Sequence, residues 1–319
     1  MRSFSELHDI IEKELSDLSY PSNSKDLYDP IKYVLNIGGK RIRPTLMMLS
    51  HQLFSDDVEK SIKAAVGIEI FHNFTLLHDD IMDKAPLRRG LQTVHEKWDN
   101  NTAILSGDTM LVQAFNFISQ VEDKNLRKIL EVFNKAATEV CEGQKWDMNF
   151  EEREDVTISN YLKMIEYKTA VLLAASLQIG SINAGASADH QDHLYEFGKN
   201  IGIAFQLKDD LLDVFGDPER FGKQIGGDIK ANKKTFLYLK ALEIANESQK
   251  KQLLYLLSEK NENKVNEIKS IFSDLRIQEC TIDLINDYYT ESINHLDAID
   301  SEKKEPLLKF AERIKERVS

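Results

Sequence analysis

The stretch Val66-Gly67-Ile68-Glu69-Ile70-Phe71-His72-Asn73-Phe74-Thr75-Leu76-Leu77-His78-Asp79-Asp80-Ile81-Met82-Asp83 decides the fold class. Its apolar residues continue a series, Val58, Ile62, Val66, Ile70, Phe74 and Leu77, spaced three or four apart. That spacing lays one stripe along a helix of roughly five to six turns. Asp56 or Asp57 stands where an N-cap belongs. Around Phe74–Leu77 the apolar arc is wide, which suits a central helix wrapped by others.

The same period runs outward through Ile104–Ile118, Leu126–Val140, Ile158–Ile179, Leu194–Val214, Phe236–Ile244 and Ile282–Ile293. Alternating strand patterns joined by Asn-Gly or Asp-Gly turns are missing. Gly38-Gly39, Lys84-Ala85-Pro86, Gly180–Gly185 and Gly216-Asp217-Pro218 read as short turns. The polar runs Asn246–Lys251 and Ser258–Lys269 read as exposed surface. No linker or internal repeat divides the chain, so residues 1–319 are expected to form a single all-α domain.

Composition narrows the function. The chain has 319 residues, 42% of them hydrophobic, and a net charge of −12. Nucleic acid and anionic membrane surfaces would repel that charge. An anionic substrate would need local cations to overcome it. Two cysteines cannot build a disulfide framework. No signal peptide opens the chain, and the apolar run Ala170–Ser176 is far shorter than the roughly 20 residues of a membrane span. The expectation is a cytoplasmic protein with no stable membrane insertion.

Asp79-Asp80-Ile81-Met82-Asp83 ends the central stripe, and residues four apart on a helix share a face. Carboxylates so placed repel each other and oppose the helix dipole, and a hard cation with oxygen ligands relieves both. A lone motif of this kind reads as solvated acidic surface. Asp209-Asp210-Leu211-Leu212-Asp213 repeats the spacing at the end of a second apolar run, Ile201–Leu207. Two copies at two core-helix ends point instead to metal. Arg88-Arg89-Gly90 and Gly38-Gly39-Lys40-Arg41-Ile42-Arg43-Pro44 add groups that suit phosphate oxygens. No Walker loop or other nucleotide fingerprint is present. Magnesium, a basic cluster and greasy helices together suit a ligand with a diphosphate head and an apolar tail. His190 and His193 read as solvated surface, and Cys141 as a core residue.

These motifs carry a resemblance. Gly38–Pro44, His72, His78–Asp83, Arg88-Arg89-Gly90, Gly107-Asp108, Lys168-Thr169, Gln206 with Asp209–Asp213, and Gly226-Gly227-Asp228-Ile229 resemble the trans-isoprenyl diphosphate synthases, or polyprenyl synthetases, over nearly the whole chain. The resemblance implies antiparallel helices bundled around a deep central cavity, the isoprenoid synthase fold, and a homodimer. It implies three magnesium ions held by Asp79, Asp83 and Asp209, with Asp80, Asp210 and Asp213 in support. Arg88, Lys168 and Lys233 would bind the allylic diphosphate (dimethylallyl, geranyl or farnesyl), and Lys40, Arg43, His72 and Arg89 would bind isopentenyl diphosphate. Lys223, in a stretch one residue longer than in some relatives, would also bind substrate. Thr169, the Lys168 backbone and Gln206 would face the allylic cation.

Product length would be set on the Asp79 helix. Phe74 lies roughly 7.5 Å below Asp79, and in the family a bulky residue there restricts the chain. The small Thr75 leaves room for one unit more than a second aromatic would, favouring geranylgeranyl over farnesyl diphosphate. A class I terpene cyclase would carry an Asn/Asp–Ser–Glu motif where this chain has Asp209–Asp213. A non-catalytic, lipid-binding partner subunit would have lost the aspartates, all retained here.

Overall fold

The structure, a computed structural model, describes residues 2–216, 226–258 and 263–316. Lys223 therefore lies outside the described residues. In chain order the helices are α1 Phe4–Ser16, α2 Lys25–Asn36, α3 Ile42–Gln52, α4 Ile62–Met82, α5 Val94–Lys97, α6 Asn100–Ile118, α7 Asp123–Glu152 and α8 Ile158–Ile165. A π-helical turn, Glu166–Ala170, leads into α9 Val171–Asn183 and α10 Ala188–Phe215. There follow α11 Gly227–Lys230, α12 Phe236–Ile244, α13 Glu247–Ser258, α14 Lys264–Asp274, α15 Ile277–Asp297 and α16 Glu305–Glu316. Among the described residues the only strands are β1 Leu87–Arg88 and β2 Leu91–Gln92, and the chain is all-α. No helix among them is long and apolar enough to cross a membrane.

Two compact units are distinguished, Met1–Lys135 with Ala175–Tyr195 and Ile299–Leu307, and Ala136–Ala174 with Glu196–Ala298 and Leu308–Ser319. In the first, α4 is the central element. Ala64, Val66, Ile68, Ile70 and Phe71 are all buried, because the helix is apolar around most of its circumference. It packs closely on α6, where Gly67 meets Ala114 and Ile118. In the second unit, Thr157 starts α8 with a capping box shared with Asn160, and α10 brings Ile201, Ile203, Ala204 and Leu207 into the core.

Four local expectations change. Neither Asp56 nor Asp57 caps α4: a 3-10 turn, Val58–Ser61, intervenes, and Asp56 instead pairs with Lys303 at 2.6 Å. Gly180 does not break its helix but lies inside α9, so close to Met47 O that a Cβ would sit 2.1 Å from it. Cys141 is exposed, on the outer face of α7 beside Glu142. The polar run after Ser258 includes α14, which buries Ile268 and Lys264.

Candidate functional site

Arg88, Arg89 and Gly90 owe their placement to a two-residue hairpin. Leu87 pairs with Gln92 and Arg88 with Leu91, leaving Arg89 and Gly90 at φ 52° and 79°. Two positive φ values in a row make the mirror-image turn that matches strand twist, which explains the glycine. Arg88 then faces the end of α4: its Nε donates to both Asp80 oxygens at 2.8 Å, and its Nη2 reaches Asp79 at 3.3 Å. Burial pushes the Asp80 carboxyl up, against the pull of Arg88.

Arg89 lies against Gly39, with its guanidinium 2.8 Å from where a Cβ would stand. Arg43 Nη1 meets His72 Nε2 at 3.1 Å, the arginine donating to a neutral ring. Burial, then the charges of Arg43 and Arg89, hold the His72 pKa well below its ordinary value. Arg43 Nε is buried and makes no hydrogen bond among the described residues. Thus Gly39, Arg43, His72 and Arg89 come together, with exposed Lys40 on the adjoining loop.

Arg41 is different. Its side chain is fully enclosed, and it donates to Glu12 and Glu69 at 2.7 Å each and to Leu35 O at 2.6 Å. Glu69 also accepts from Asn73. Arg41 therefore anchors the loop between Lys40 and Arg43, and α1 takes part through Glu12 and through His8, 3.4 Å from Gly39 O. Arg41 was not among the residues assigned to either diphosphate, and its sequence neighbourhood gave no sign of this anchoring place.

The second unit holds a cavity of about 100 Å³ lined by Asp147, Tyr161, Lys168, Thr169, Gln206, Asp210, Asp228 and Lys233, among others. Lys168 and Thr169 sit on the π turn, a feature that often marks functional positions. Lys168 Nζ binds Asp147 at 2.6 Å, and Trp146 stacks on Tyr167 alongside, with centroids 4.9 Å apart. Thr169 donates to Gln206 Oε1 at 3.1 Å, and Gln206 Nε2 donates to Asp210 Oδ1 at 2.9 Å. The Tyr161 hydroxyl donates to Asp210 Oδ2. Burial, and then the charge of Asp228, pushes the Asp210 carboxyl well above the usual range. Asp213 accepts from the backbone N–H of Asp228 at 3.0 Å and of Gly227 at 3.2 Å, holding the start of α11.

The donor set fits a hard divalent ion. Both motifs offer only carboxylate oxygens. Several of these carboxylates also accept from protein donors: Asp79 and Asp80 from Arg88, Asp210 from Tyr161 and Gln206, Asp213 from backbone N–H groups. Asp79 and Asp83 lie on one face at the end of α4, with Asp83 exposed.

Three participants escaped the sequence reading. Asp147 was readable from Gly143-Gln144-x-x-Asp147, a small residue and an acid one helical turn apart. Tyr161 stands seven residues before Lys168, about two turns along the same face. Lys234, whose ammonium caps the end of α7 through Phe150 O and Glu151 O, gave no signal beside Lys233.

Comparison with known proteins extends the likeness beyond these residues. The polyprenyl synthetase family model matches residues 24–275. A short chain isoprenyl diphosphate synthase of Methanocaldococcus jannaschii is 42% identical over 252 residues, 79% of this chain and 76% of its own. A geranylgeranyl diphosphate synthase of Sulfolobus acidocaldarius is 36% identical over 308 residues, 94% of this chain and 91% of its own. The crystal structure of a geranylgeranyl pyrophosphate synthase matches with a TM-score of 0.94 at 40% identity, covering 100% of both chains.

Proposed function

Since the chain belongs to the polyprenyl synthetase family, a family of prenyltransferases with the isoprenoid synthase fold, we propose that it condenses isopentenyl diphosphate with an allylic diphosphate to give geranylgeranyl diphosphate. The observation that carries the reading is Arg43, whose buried Nε has no hydrogen-bond partner among the described residues, beside Arg89 and His72. Such a donor is costly to bury unless an anion meets it. We assign isopentenyl diphosphate to Lys40, Arg43, His72 and Arg89, and the allylic diphosphate to Arg88, Lys168 and Lys233. Lys223 keeps only its sequence-based assignment.

The family uses a divalent metal. We take it to be magnesium, three ions held by Asp79, Asp83 and Asp209, a choice supported by the family resemblance and by a donor set made only of carboxylate oxygens. When bound, the metal offsets the charge of the departing diphosphate. The chain's own residues do the rest. Lys168, freed from Asp147, meets the leaving oxygens. Thr169 and Gln206 turn oxygen lone pairs toward the allylic carbon as its C–O bond breaks and the electron pair leaves with diphosphate. The double bond of isopentenyl diphosphate attacks that carbon, and the released diphosphate takes the proton. The apolar helices keep water from the cation.

We treat residues 1–319 as one catalytic domain in a cytoplasmic homodimer. α7 and α10 each contribute residues to both units, which supports the single domain. Exposed Ile104, Leu105, Val112 and Phe115 form an apolar stripe on α6 that suits a second copy of the chain. Chromatography of the products made from isopentenyl and farnesyl diphosphates with magnesium tests the function. A twenty-carbon product is expected, and no extension of any allylic starter would refute it.

A further inference from the structure

Four side chains of the second unit form one directed hydrogen-bond chain. Tyr161 is 2% exposed, and its hydroxyl donates to Asp210 Oδ2. Asp210 Oδ1 accepts from Gln206 Nε2 at 2.9 Å, and Gln206 Oε1 accepts from Thr169 Oγ1 at 3.1 Å. The directions are not interchangeable. Both Asp210 oxygens accept, one from Tyr161 and one from Gln206, so the NH2 end of the Gln206 amide faces the carboxyl. The amide oxygen must then face Thr169, whose single hydroxyl proton it takes. What Thr169 and Gln206 show to the cavity is therefore oxygen lone pairs.

Asp210 could hold Gln206 this way only if its own carboxyl plane were fixed. Gln206 sits one helical turn before it on α10, so that bond alone leaves the carboxyl free to turn about its χ2 torsion. The second oxygen is pinned from a different element, α8, by the phenol of Tyr161. Tyr161 itself cannot swing, because the ring is enclosed and α8 is capped by Thr157.

We infer that Tyr161 is a positioning residue for the condensation. Acting through Asp210, it sets the Gln206 amide so that oxygens, and not an N–H, meet the positive charge at the allylic carbon. This rests on the prenyltransferase reading above. Tyr161 keeps its proton and acts through Asp210. Its contribution is orientation, which matters for a charge that exists only after the allylic C–O bond has opened.

The test is Tyr161→Phe, which keeps the ring and removes the hydroxyl. The expected result is a kcat lower by about ten- to hundredfold, with both KM values within about threefold of wild type. A merely structural role would not discriminate between two non-reacting ligands measured by calorimetry with magnesium. One is an allylic thiolodiphosphate with a neutral tail, and the other an ammonium analogue charged at the reacting carbon. Tyr161→Phe should weaken the ammonium analogue at least tenfold and the thiolodiphosphate no more than about threefold. Equal weakening of both, or of neither, would overturn the inference.

Should Tyr161→Phe fail to fold, Asp210→Asn supplies the same readout. Its amide faces Gln206 with an N–H once its oxygen accepts from Tyr161, so the Gln206 amide reverses. Unchanged discrimination between the analogues in that variant also overturns the inference. Wild-type enzyme that binds neither analogue would overturn the prenyltransferase reading as well. Wild-type enzyme that binds both, with the variants showing the wild-type ratio, overturns this inference alone.

Discussion

Gly143 of α7 lies directly against the backbone of Lys168: a Cβ at Gly143 would stand 2.3 Å from the Lys168 nitrogen. The close approach lets the π turn settle on α7 and brings Lys168 within reach of Asp147, one turn further along that helix. Because the neighbour is backbone, it cannot rotate away. Gly143→Ala is expected to destabilise the protein by about 1–3 kcal/mol in urea titration and to lower kcat/KM for the allylic substrate at least tenfold. Unchanged values for both would show that the turn has room the structure does not display.

The two basic clusters should separate kinetically. Lys40→Ala and Arg43→Ala should raise the KM for isopentenyl diphosphate by about ten- to hundredfold, since each would remove a proposed charge-assisted phosphate contact. Lys168→Ala should act chiefly on the allylic substrate. Steady-state kinetics with each substrate varied in turn decides it. Equal effects of all three variants on both substrates would contradict the division.

His72 should make stability sensitive to acid. Burial and the surrounding guanidiniums hold its folded pKa below the unfolded value of about 6.5, so the unfolded chain takes up the proton first. Its contribution is present above about pH 6.5 and is lost as pH falls below that, at up to about 1.4 kcal/mol per pH unit. His51, also depressed by burial, adds to the slope. Urea titrations between pH 7 and 5 should give a shallower slope for His72→Asn than for wild type. Identical slopes would mean that His72 is already charged in the fold.

How much of this was legible in the residues follows from what a periodic pattern can carry. Val58 to Leu77 announces α4 because burial repeats every turn, and Asp79 to Asp83 follows at its end. The helix Ile158–Ile179 was equally visible, but the π turn within it was not: one extra residue in a turn leaves the composition unchanged. What makes it is across space, where Gly143 and Gly202 let α7 and α10 approach Lys168 and Ala170. Arg41 was hidden for a similar reason. Nothing between Lys40 and Arg43 marks it as an anchor, and only Glu12 and Glu69, 29 and 28 residues away, reveal one. The hairpin at Leu87–Gln92 was too short to register as strands, although Arg89-Gly90 is its turn.

Phe74 is the residue proposed to limit product length. It is buried on α4 with its ring 4.7 Å from His78 and 5.6 Å from Phe71 between centroids. Thr75, beside it, donates to His72 O at 2.7 Å and adds little bulk. With one helical turn rising about 5.4 Å, a residue five before Asp79 sits at a depth suited to limiting chain growth. Phe74→Ala is expected to lengthen the main product by at least one isoprene unit in chromatography of the extracted products. An unchanged product from a folded variant would place the floor elsewhere.

The central claim is that two aspartate motifs, one on α4 and one on α10, act together on a departing diphosphate. Diphosphate release from farnesyl and isopentenyl diphosphates, followed with saturating magnesium, measures it most directly. Wild-type protein should release diphosphate in step with product, and Asp79→Ala and Asp209→Ala should each lower the rate by several orders of magnitude, with helical content by circular dichroism unchanged. Near-normal release by either folded variant would contradict the account.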